Sequence, residues 1–216
     1  SESLGPEQLG SKRKFWALLS GEPLPWLFKF SRPGTGEHWA EKLGSEIAGL
    51  LGVPAARVEL ALMENEIGAI VESVVPHDWD QMLDKPLRRG ELIHGNEILA
   101  GYIETYDRQK MRGQTEHSYE NIIASLKKAL TEDLHSRNVS DFAGLLVLDA
   151  LIGNTDRHHE NWALLRTYSP KPIIGLSPSY DHASSLGREL ADIKREEHLL
   201  RRSVPAYAKK GKGAIY

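Results

Sequence analysis

The polar stretch at residues 153–161 constrains the fold most, because apolar segments enclose it on both sides. Residues 142–152 form an apolar run long enough for a buried helix, and residues 162–165 are predicted to form a strand. Polar and charged side chains packed this densely between two buried elements belong to a loop that the surrounding scaffold holds in position. The stretch is therefore the first candidate for a functional site.

Asp156, Asn161 and Asp181 have the residue types and the spacing that phosphoryl transfer requires. Asp156 and Asn161 are related as D-x-x-x-x-N, the spacing of the catalytic loop of protein kinases. In such a site one Asp orients and deprotonates the acceptor hydroxyl, while an Asn and a second Asp hold Mg²⁺ against the nucleotide phosphates. Residues 162–179 resemble a hairpin, which would bring Asn161 and Asp181 to one cation.

A structural interpretation of the same residues stays open at this point. D-x-x-x-x-N is a common spacing, so the motif alone carries a high false-positive risk. Asp156 could cap a helix, Asn161 could lie in a turn, and His158 and His159 could be surface residues. The order of buried helix, polar loop, strand, turn, strand and Tyr-Asp favours the metal site.

The segments 154–161 and 178–181, Asn-Thr-Asp-Arg-His-His-Glu-Asn and Pro-Ser-Tyr-Asp, resemble motifs of the HipA-like serine/threonine kinases of bacteria. The fold of that family is related to the phosphatidylinositol 3- and 4-kinases, which share the order Asp-Arg-His found at 156–158. His182 and Ala183 stand where related kinases have Phe-Gly after the metal-binding Asp. The resemblance covers most of the chain and is most specific at these two segments.

The resemblance implies an α+β, two-lobed protein-kinase-like fold with ATP and Mg²⁺ in the cleft. We expect a small β-rich N-lobe at residues 1–75 and a helical C-lobe at residues 76–216 that lacks part of its C-terminal end. Asp156 would serve the acceptor hydroxyl, and Asn161 and Asp181 would hold Mg²⁺. His158 is expected to hold the catalytic loop in place by hydrogen bonding.

Two N-terminal features are predicted to meet the phosphates. Gly10, Ser11 and Lys12 stand where the family carries its glycine loop, with a solvated basic turn as the alternative. Family members can be inactivated by autophosphorylation in this loop, for which Ser11 is the nearest candidate. Lys29 lies in an aromatic strand at residues 26–30 and is predicted to contact the phosphates, because lysine is rarely buried unpaired. The alternative is an edge strand with the Lys29 ammonium in water.

A helix at residues 38–51 is expected to supply a glutamate opposite Lys29. Glu41 is favoured by its register against the family, Glu46 and Glu37 are alternatives, and a solvated acidic face is an equal competitor. The predicted buried face of this helix comprises its large apolar residues, Trp39, Leu43, Ile47, Leu50 and Leu51.

Strands are predicted at residues 58–61 and 67–75, and the second would continue into a hinge between the lobes. By position, the backbone of Glu72, Ser73 and Val74 would bind adenine. Residues 77–96 are predicted to be irregular. Helices are predicted at residues 97–108, 118–134 and 139–152, with Asn96 capping the first and Ser140 the last, and a charged helix near residues 190–202.

Composition excludes several classes of protein. The 216 residues carry a net charge of −3, which gives no overall attraction to nucleic acid or to an anionic membrane. The chain has no cysteine, which excludes a disulfide framework and a cysteine-ligated zinc site. Residues 192–202 mix basic and acidic side chains and so do not favour binding to an anionic membrane. No segment has the pattern of a membrane span, a signal peptide or a DNA reader. Because the chain begins with Ser and ends in a basic stretch, we expect a fragment or a processed chain. The absence of cysteine fits a reducing cytoplasm, where we expect the protein to act.

The sequence therefore predicts an ATP- and Mg²⁺-dependent serine/threonine protein kinase of HipA-like type that acts on a protein substrate. The family adds a possible role as the toxin of a toxin–antitoxin system, with an antitoxin partner and no direct nucleic-acid or membrane contact. One alternative is a lipid or small-molecule kinase on the same scaffold. Another, from a different functional class, is a pseudokinase that binds nucleotide and serves as an interaction module.

Overall fold

A computed structural model describes residues 2–6, 13–80, 85–168, 172–188, 190–211 and 213–215. The predicted phosphate loop, Gly10, Ser11 and Lys12, lies outside the described residues. Within these ranges, no helix has both the length and the apolar character needed to cross a membrane.

The described residues form an α+β structure with antiparallel sheets. The strands are β1 (Glu2–Pro6), β2 (Lys14–Leu18), β3 (Trp26–Phe30), β4 (Val58–Met63), β5 (Glu66–Glu72), β6 (His77–Asp80), β7 (Lys85–Arg88), β8 (Gly90–His94), β9 (Ala163–Thr167) and β10 (Ile174–Leu176). The helices are α1 (Glu37–Leu50), α2 (Gly95–Tyr102), α3 (Tyr119–Ala129), α4 (Glu132–Ile152), α5 (Asp192–Leu200) and α6 (Val204–Ala208).

Strand β3, which carries Lys29, lies in the middle of a five-stranded antiparallel sheet with the order β1-β2-β3-β5-β4. Lys29 is opposite Lys14 on one neighbouring strand and Ala69 on the other. The edge-strand alternative for Lys29 is therefore wrong, because both sides of β3 are paired. Aromatic and β-branched residues suit such a central strand, in which Trp26, Leu27 and Phe28 are buried.

Helix α1 packs its small residues inward, so the predicted apolar face was wrong for three of its five large residues, although Ile47 is half-buried against the main core. Ala40, Gly44 and Ala48 are buried together with Glu37 and Glu41. Three of the large residues predicted to be buried, Leu43, Leu50 and Leu51, are exposed. The small side chains let the helix backbone approach its neighbours closely: a Cβ on Gly44 would lie 2.5 Å from the Cβ of His182. Close packing on this face is what carries Glu41 into the interior.

The second half of the chain has more regular structure than predicted. Residues 77–96, predicted to be irregular, contain β6, β7 and β8, and β8 pairs with β9 in a three-stranded sheet of order β10-β9-β8. The hairpin predicted at 162–179 is confirmed as β9 and β10. Helix α4 begins at Glu132, with Thr131 as its N-cap. The prediction placed the start later, with Ser140 as the cap, because the polar residues in the first half of the helix lack apolar periodicity.

Helices α2 and α3 are shorter than predicted, and Asn96 lies inside α2 instead of capping it. Among the described residues, the main apolar core joins α1, α2, α3, α4 and the start of β9 through thirteen buried residues: Ala48, Ile98, Leu99, Tyr106, Ile122, Leu126, Leu130, Phe142, Leu145, Leu148, Ile152, Trp162 and Leu164. The end of α4 is thus anchored in the core immediately before the polar loop. The predicted lobe boundary at residue 75 follows β5 and stays a prediction.

We expect Gly44→Val to destabilise the protein by about 1–3 kcal/mol, because the added side chain must overlap His182 in a packed contact. Gly49→Ala on the exposed side of the same helix is the matched control. Apart from the backbone of α1 itself, no atom of the described residues lies within 4 Å of its added Cβ, so it should be neutral or stabilising by about 0.5–1 kcal/mol. Urea unfolding of both variants measures the difference, and equal stabilities would contradict the packing described for α1.

Candidate active site

The guanidinium of Arg157 organises the polar loop that follows α4. Its Nε and Nη2 each donate to a different oxygen of the Asp149 carboxylate at 2.8 Å. Its Nη1 donates to the carbonyl oxygens of Asn161 at 2.6 Å and Tyr180 at 2.9 Å. Arg157 is 1% exposed. One buried side chain therefore ties α4, the loop and the segment that leads to Asp181.

The loop begins where Gly153 ends α4 in the left-handed conformation, with φ of 63°. Asn154 then donates to Asp149 Oδ1 at 2.9 Å and accepts from the amide of Asp156 at 3.1 Å. The Asn161 side-chain amide donates to the carbonyl of Asp156 at 2.7 Å. The two predicted residues Asp156 and Asn161 are thus fixed relative to each other.

Lys29 lies between two carboxylates from distant parts of the chain. Its Nζ is 3.3 Å from Glu41 Oε2 and 3.1 Å from Asp181 Oδ1. Burial alone would lower the pKa of Lys29, but Asp181 and Glu41 together outweigh burial and raise this pKa above its ordinary value. The lysine is therefore a permanent cation, and the structure brings together Lys29, Glu41 and Asp181 as the sequence predicts.

Glu41 is held by the backbone that follows Asp181. The amide of His182 donates to Glu41 Oε1 at 3.0 Å, and the Glu41 side chain is 1% exposed. His182 is itself buried, and burial lowers the pKa of His182 to about 3. The imidazole is consequently neutral, so its 3.9 Å approach to Glu41 is not an ion pair. A neutral His182 also fits its 2.7 Å hydrogen bond to Ser179.

Asp181 has a backbone φ of 60°, in the left-handed region that non-glycine residues seldom occupy. Asp is among the residues that tolerate this conformation, and such strain is found at functional sites. The Asp181 side chain is 38% exposed, so its carboxylate can be reached from solvent even though Lys29 contacts it.

The other predicted residues are placed less centrally. Glu46 forms an exposed pair with Lys42 at 2.7 Å, whereas Glu37 lies 3.4 Å from the guanidinium of Arg188. The Nδ1 of His158 accepts from the amide of Glu160 at 3.2 Å, a local bond within the loop.

At the predicted hinge, two of the three amides are already used within the protein. The amide of Glu72 donates to the backbone carbonyl of Arg57 at 2.9 Å, and the amide of Ser73 donates to the backbone carbonyl of Pro25 at 2.9 Å. Within the described part of the chain, the amide of Val74 has no hydrogen-bond partner. Any adenine contact through a hinge N–H therefore falls to Val74.

A cavity of about 330 Å³ opens beside Asp156. Its lining includes Asp156, Ser184 and Arg188, which form a hydrogen-bonded series, and also Arg112 and His117. The Nε2 of His117 accepts from the indole N–H of Trp162 at 3.0 Å, so its Nδ1 carries the proton and donates to the carbonyl of Ala214 at 3.0 Å. Burial lowers the pKa of His117 to about 4 and keeps it neutral.

Comparison with known proteins agrees with this geometry. The model of the HipA-like C-terminal domain matches residues 9–208. The chain belongs to this family. The family and the α+β kinase-like fold expected from the sequence are thereby confirmed.

This HipA-like chain is similar to a protein of Sinorhizobium fredii (strain NBRC 101917 / NGR234) named "Putative kinase Y4dM". The identity is 28% over 163 residues, which are 71% of this chain and 39% of that protein. The chain thus spans well under half of the length of this relative.

Two solved structures share the fold. The Helicobacter pylori proinflammatory kinase CtkA matches with a TM-score of 0.71 and 18% identity, over 94% of this chain and 67% of CtkA. A chain of the Shewanella oneidensis MR-1 toxin–antitoxin complex of HipA, HipB and operator DNA matches with a TM-score of 0.58 and 17% identity, over 82% of this chain and 43% of that one.

Sequence reasoning assigned no positioning role to four residues that hold this HipA-like site together: Asp149, Asn154, Arg157 and His182. One signal was available for Asp149, which is a carboxylate inside the apolar run at 142–152 and needs a partner when buried. Arg157 stands eight residues later and provides that partner. Nothing in the local sequence indicates that His182 packs on Gly44.

We expect Asp149→Asn to destabilise the protein by about 3–5 kcal/mol, because it leaves the buried guanidinium of Arg157 without its counter-charge. Asp141→Asn is the matched control, since Asp141 is on the same helix in an exposed pair with Arg137 at 3.9 Å. Exposed pairs of this kind contribute about 0.3–0.5 kcal/mol. Urea unfolding compares the two variants, and a small cost for Asp149→Asn would argue against a central role for Arg157.

Stability should also fall in acid because His117 and His182 are buried in the neutral form. Their pKa values of about 4 and about 3 lie below the ordinary value of 6.5, so the unfolded chain binds more protons over this range. The free energy of unfolding then decreases as pH falls from about 6.5, by up to about 1.4 kcal/mol per pH unit for each histidine.

Urea unfolding at several pH values between about 7 and 5 measures this slope. His117→Gln should reduce the slope, because it removes one of the two groups that take up a proton on unfolding. An unchanged slope in this variant would contradict the assignment to His117.

Proposed function

We propose that this chain is the phosphoryl-transfer domain of an ATP- and Mg²⁺-dependent serine/threonine protein kinase. One observation carries the proposal: Lys29 forms ion pairs with both Glu41 and Asp181 next to a loop that presents Asp156 and Asn161. A lysine paired with a helix glutamate, a metal-binding carboxylate, and a D-x-x-x-x-N loop are the parts that protein kinases use. Family membership supports the same conclusion.

The donor set fits Mg²⁺. Asn161 Oδ1 and the Asp181 carboxylate are hard oxygen ligands of the kind that Mg²⁺ prefers. The group formed by Lys29, Glu41 and Asp181 has two carboxylates and one ammonium, so it carries a net negative charge that favours a cation. The residues that the structure describes hold no cluster of three or more His, Asp or Glu suited to a metal. Mg²⁺ in phosphoryl transfer commonly uses one or two protein ligands, with substrate phosphates and water as the rest. When bound, the ion would neutralise charge on the phosphates.

The residues of this chain would supply position and charge. Lys29 would leave Asp181 for the phosphates, and Glu41 would keep the ammonium on the strand side of the cleft. Asp156 would accept the proton of, or orient, the acceptor hydroxyl, since its backbone is held by Asn154 and Asn161. The rate gain would come from this arrangement and not from a covalent intermediate with the protein.

A small-molecule acceptor is a second candidate. The cavity beside Asp156, about 330 Å³, is within the usual range of small-ligand sites and is lined by polar groups that could orient such an acceptor. A protein acceptor would instead insert a serine or threonine side chain there. Labelled ATP offered with small alcohols, phosphoinositides or protein separates these acceptor classes.

A toxin role and an antitoxin partner are further proposals. They are motivated by the solved relative, which is HipA in a complex with HipB and operator DNA. The present chain spans 43% of that relative. Because ATP is available in the cytoplasm, we propose that the protein acts there.

We expect Asp156→Ala to reduce phosphoryl transfer by about 10²–10⁴-fold with little change in ATP affinity, because it removes the group that serves the acceptor. Asp181→Ala should abolish transfer and also weaken Mg²⁺-dependent ATP binding, because it removes a metal ligand. Calorimetry with Mg²⁺-ATP, followed by mass-spectrometric mapping of transferred phosphate, measures both effects.

Asp192→Ala is the control for these variants, since Asp192 is the first residue of α5, pairs with Arg195 with its carboxylate exposed, and should keep wild-type binding and transfer. Transfer at the wild-type rate by either site variant would refute the kinase assignment. Binding of ATP by the wild type without transfer to any acceptor would favour the nucleotide-binding interaction module instead.

A further inference from the structure

The hydroxyl of Ser184 already occupies the position where an acceptor hydroxyl would meet Asp156. Its Oγ donates to Asp156 Oδ2 at 3.3 Å, and Ser184 lines the same cavity. We infer that Ser184 is an intramolecular phosphorylation site of this protein. The inference rests on the proposed kinase function and assigns it an acceptor within the chain, distinct from Ser11.

Arg188 provides a binding group for a phosphate on Ser184. Its Nη2 donates to Ser184 Oγ at 2.8 Å, and its Nη1 is 3.4 Å from Glu37 Oε1. The Nε of Arg188 is buried and lacks a hydrogen-bond partner among the residues described. An arginine Nε–H together with an Nη–H forms the pair of donors that phosphate oxygens accept, and such charge-assisted bonds are strong. The unsatisfied donor thus points to an anion beside Ser184.

The backbone holds Ser184 close to the proposed transfer centre. Ser184 follows Asp181 by three residues, and its carbonyl accepts from the amide of Thr155 at 3.3 Å. The neighbouring Ser185 is held differently, because its hydroxyl donates to the carbonyl of His182 at 2.7 Å and is completely buried. Ser185 therefore offers a built-in comparison in the same segment.

The proposed step transfers the γ-phosphoryl group of ATP to Ser184. A bond forms between Ser184 Oγ and the γ-phosphorus, and the bond from that phosphorus to the bridging oxygen of ADP breaks. The Ser184 proton passes to the carboxylate of Asp156, and ADP leaves. The product would place phosphate charge against Asp156 and inside the cavity, where it repels that carboxylate and obstructs an external acceptor.

Burial of Ser184 requires that the reaction occur within one molecule. Ser184 is 8% exposed, so the active site of another copy cannot reach its hydroxyl in the folded state. The fraction of chains phosphorylated at Ser184 should consequently rise at a rate that does not depend on protein concentration. Phosphorylation between molecules would instead accelerate with concentration.

The test incubates the purified chain with Mg²⁺-ATP over a wide range of protein concentrations. Mass spectrometry follows phosphate on each serine, and ADP release is measured on the same samples. We expect phosphate on Ser184 in the wild type and in Ser185→Ala, and none at this position in Ser184→Ala. Arg188→Gln should slow the modification, because the donors that receive the phosphoryl group are lost. Urea unfolding verifies that each variant is folded.

Asp156→Asn mixed with the wild type provides a second arm. Its Ser184 should stay unmodified, since a neighbouring wild-type molecule cannot reach it. Modification of Ser184 in that variant, or a rate that grows with concentration, would overturn the intramolecular assignment.

Failure of this inference can be separated from failure of the kinase proposal. ADP release, or phosphate on other residues, with Ser184 unmodified would overturn the Ser184 site and leave the kinase proposal standing. Absence of both ATP binding and ADP release would overturn both.

Discussion

The buried ion pair between Arg157 and Asp149 is the interaction on which the candidate site depends. A guanidinium with almost no solvent exposure is costly unless its donors are satisfied, and here the carboxylate of Asp149 and two carbonyls satisfy them. Because those carbonyls belong to Asn161 and Tyr180, the charge pair fixes both ends of the hairpin that separates the two predicted metal ligands. The buried Arg157 guanidinium thereby sets the positions of the backbone at Asn161 and Tyr180.

A second constraint comes from the close approach of α1. The helix presents Ala40, Gly44 and Ala48 inward, so its backbone can lie against His182. That approach carries Glu41 to the backbone amide of His182 on one side and to Lys29 on the other. A bulkier inward face would move Glu41 away from Lys29. Steric fit on one side of α1 therefore controls the electrostatics of the cleft.

The polar groups around Asp156 form a chain of contacts that reaches α1. Asp156 contacts Ser184, Ser184 contacts Arg188, and Arg188 approaches Glu37 at the start of α1. The segment after Asp181 is thereby connected to the helix that bears Glu41. A change of charge at Ser184 would alter the electrostatic environment of Asp156 and, through Arg188, of Glu37 in α1. Phosphorylation in this segment would therefore act on the proposed transfer site directly.

The sequence by itself determined the elements whose signals are local. The apolar run at 142–152, the aromatic strand around Lys29 and the hairpin after Asn161 follow from the pattern of residues along the chain. The motifs at 154–161 and 178–181 carry the family resemblance, and the fold class was what that resemblance implied. These elements could be predicted because the spacing of apolar residues along a segment indicates whether that segment forms a helix or a strand.

Only the tertiary structure decided which side of α1 is buried, that Arg157 belongs to Asp149, and that Ser184 faces Asp156. Helix α1 illustrates the reason: its leucines predict one face by hydrophobicity, whereas the close contact with His182 selects the face with the smallest side chains. Similarly, β8 was not predicted because its pairing with β9 lies more than sixty residues away in the chain. Contacts between distant segments leave no periodic signal in either one, so packing alone decides them.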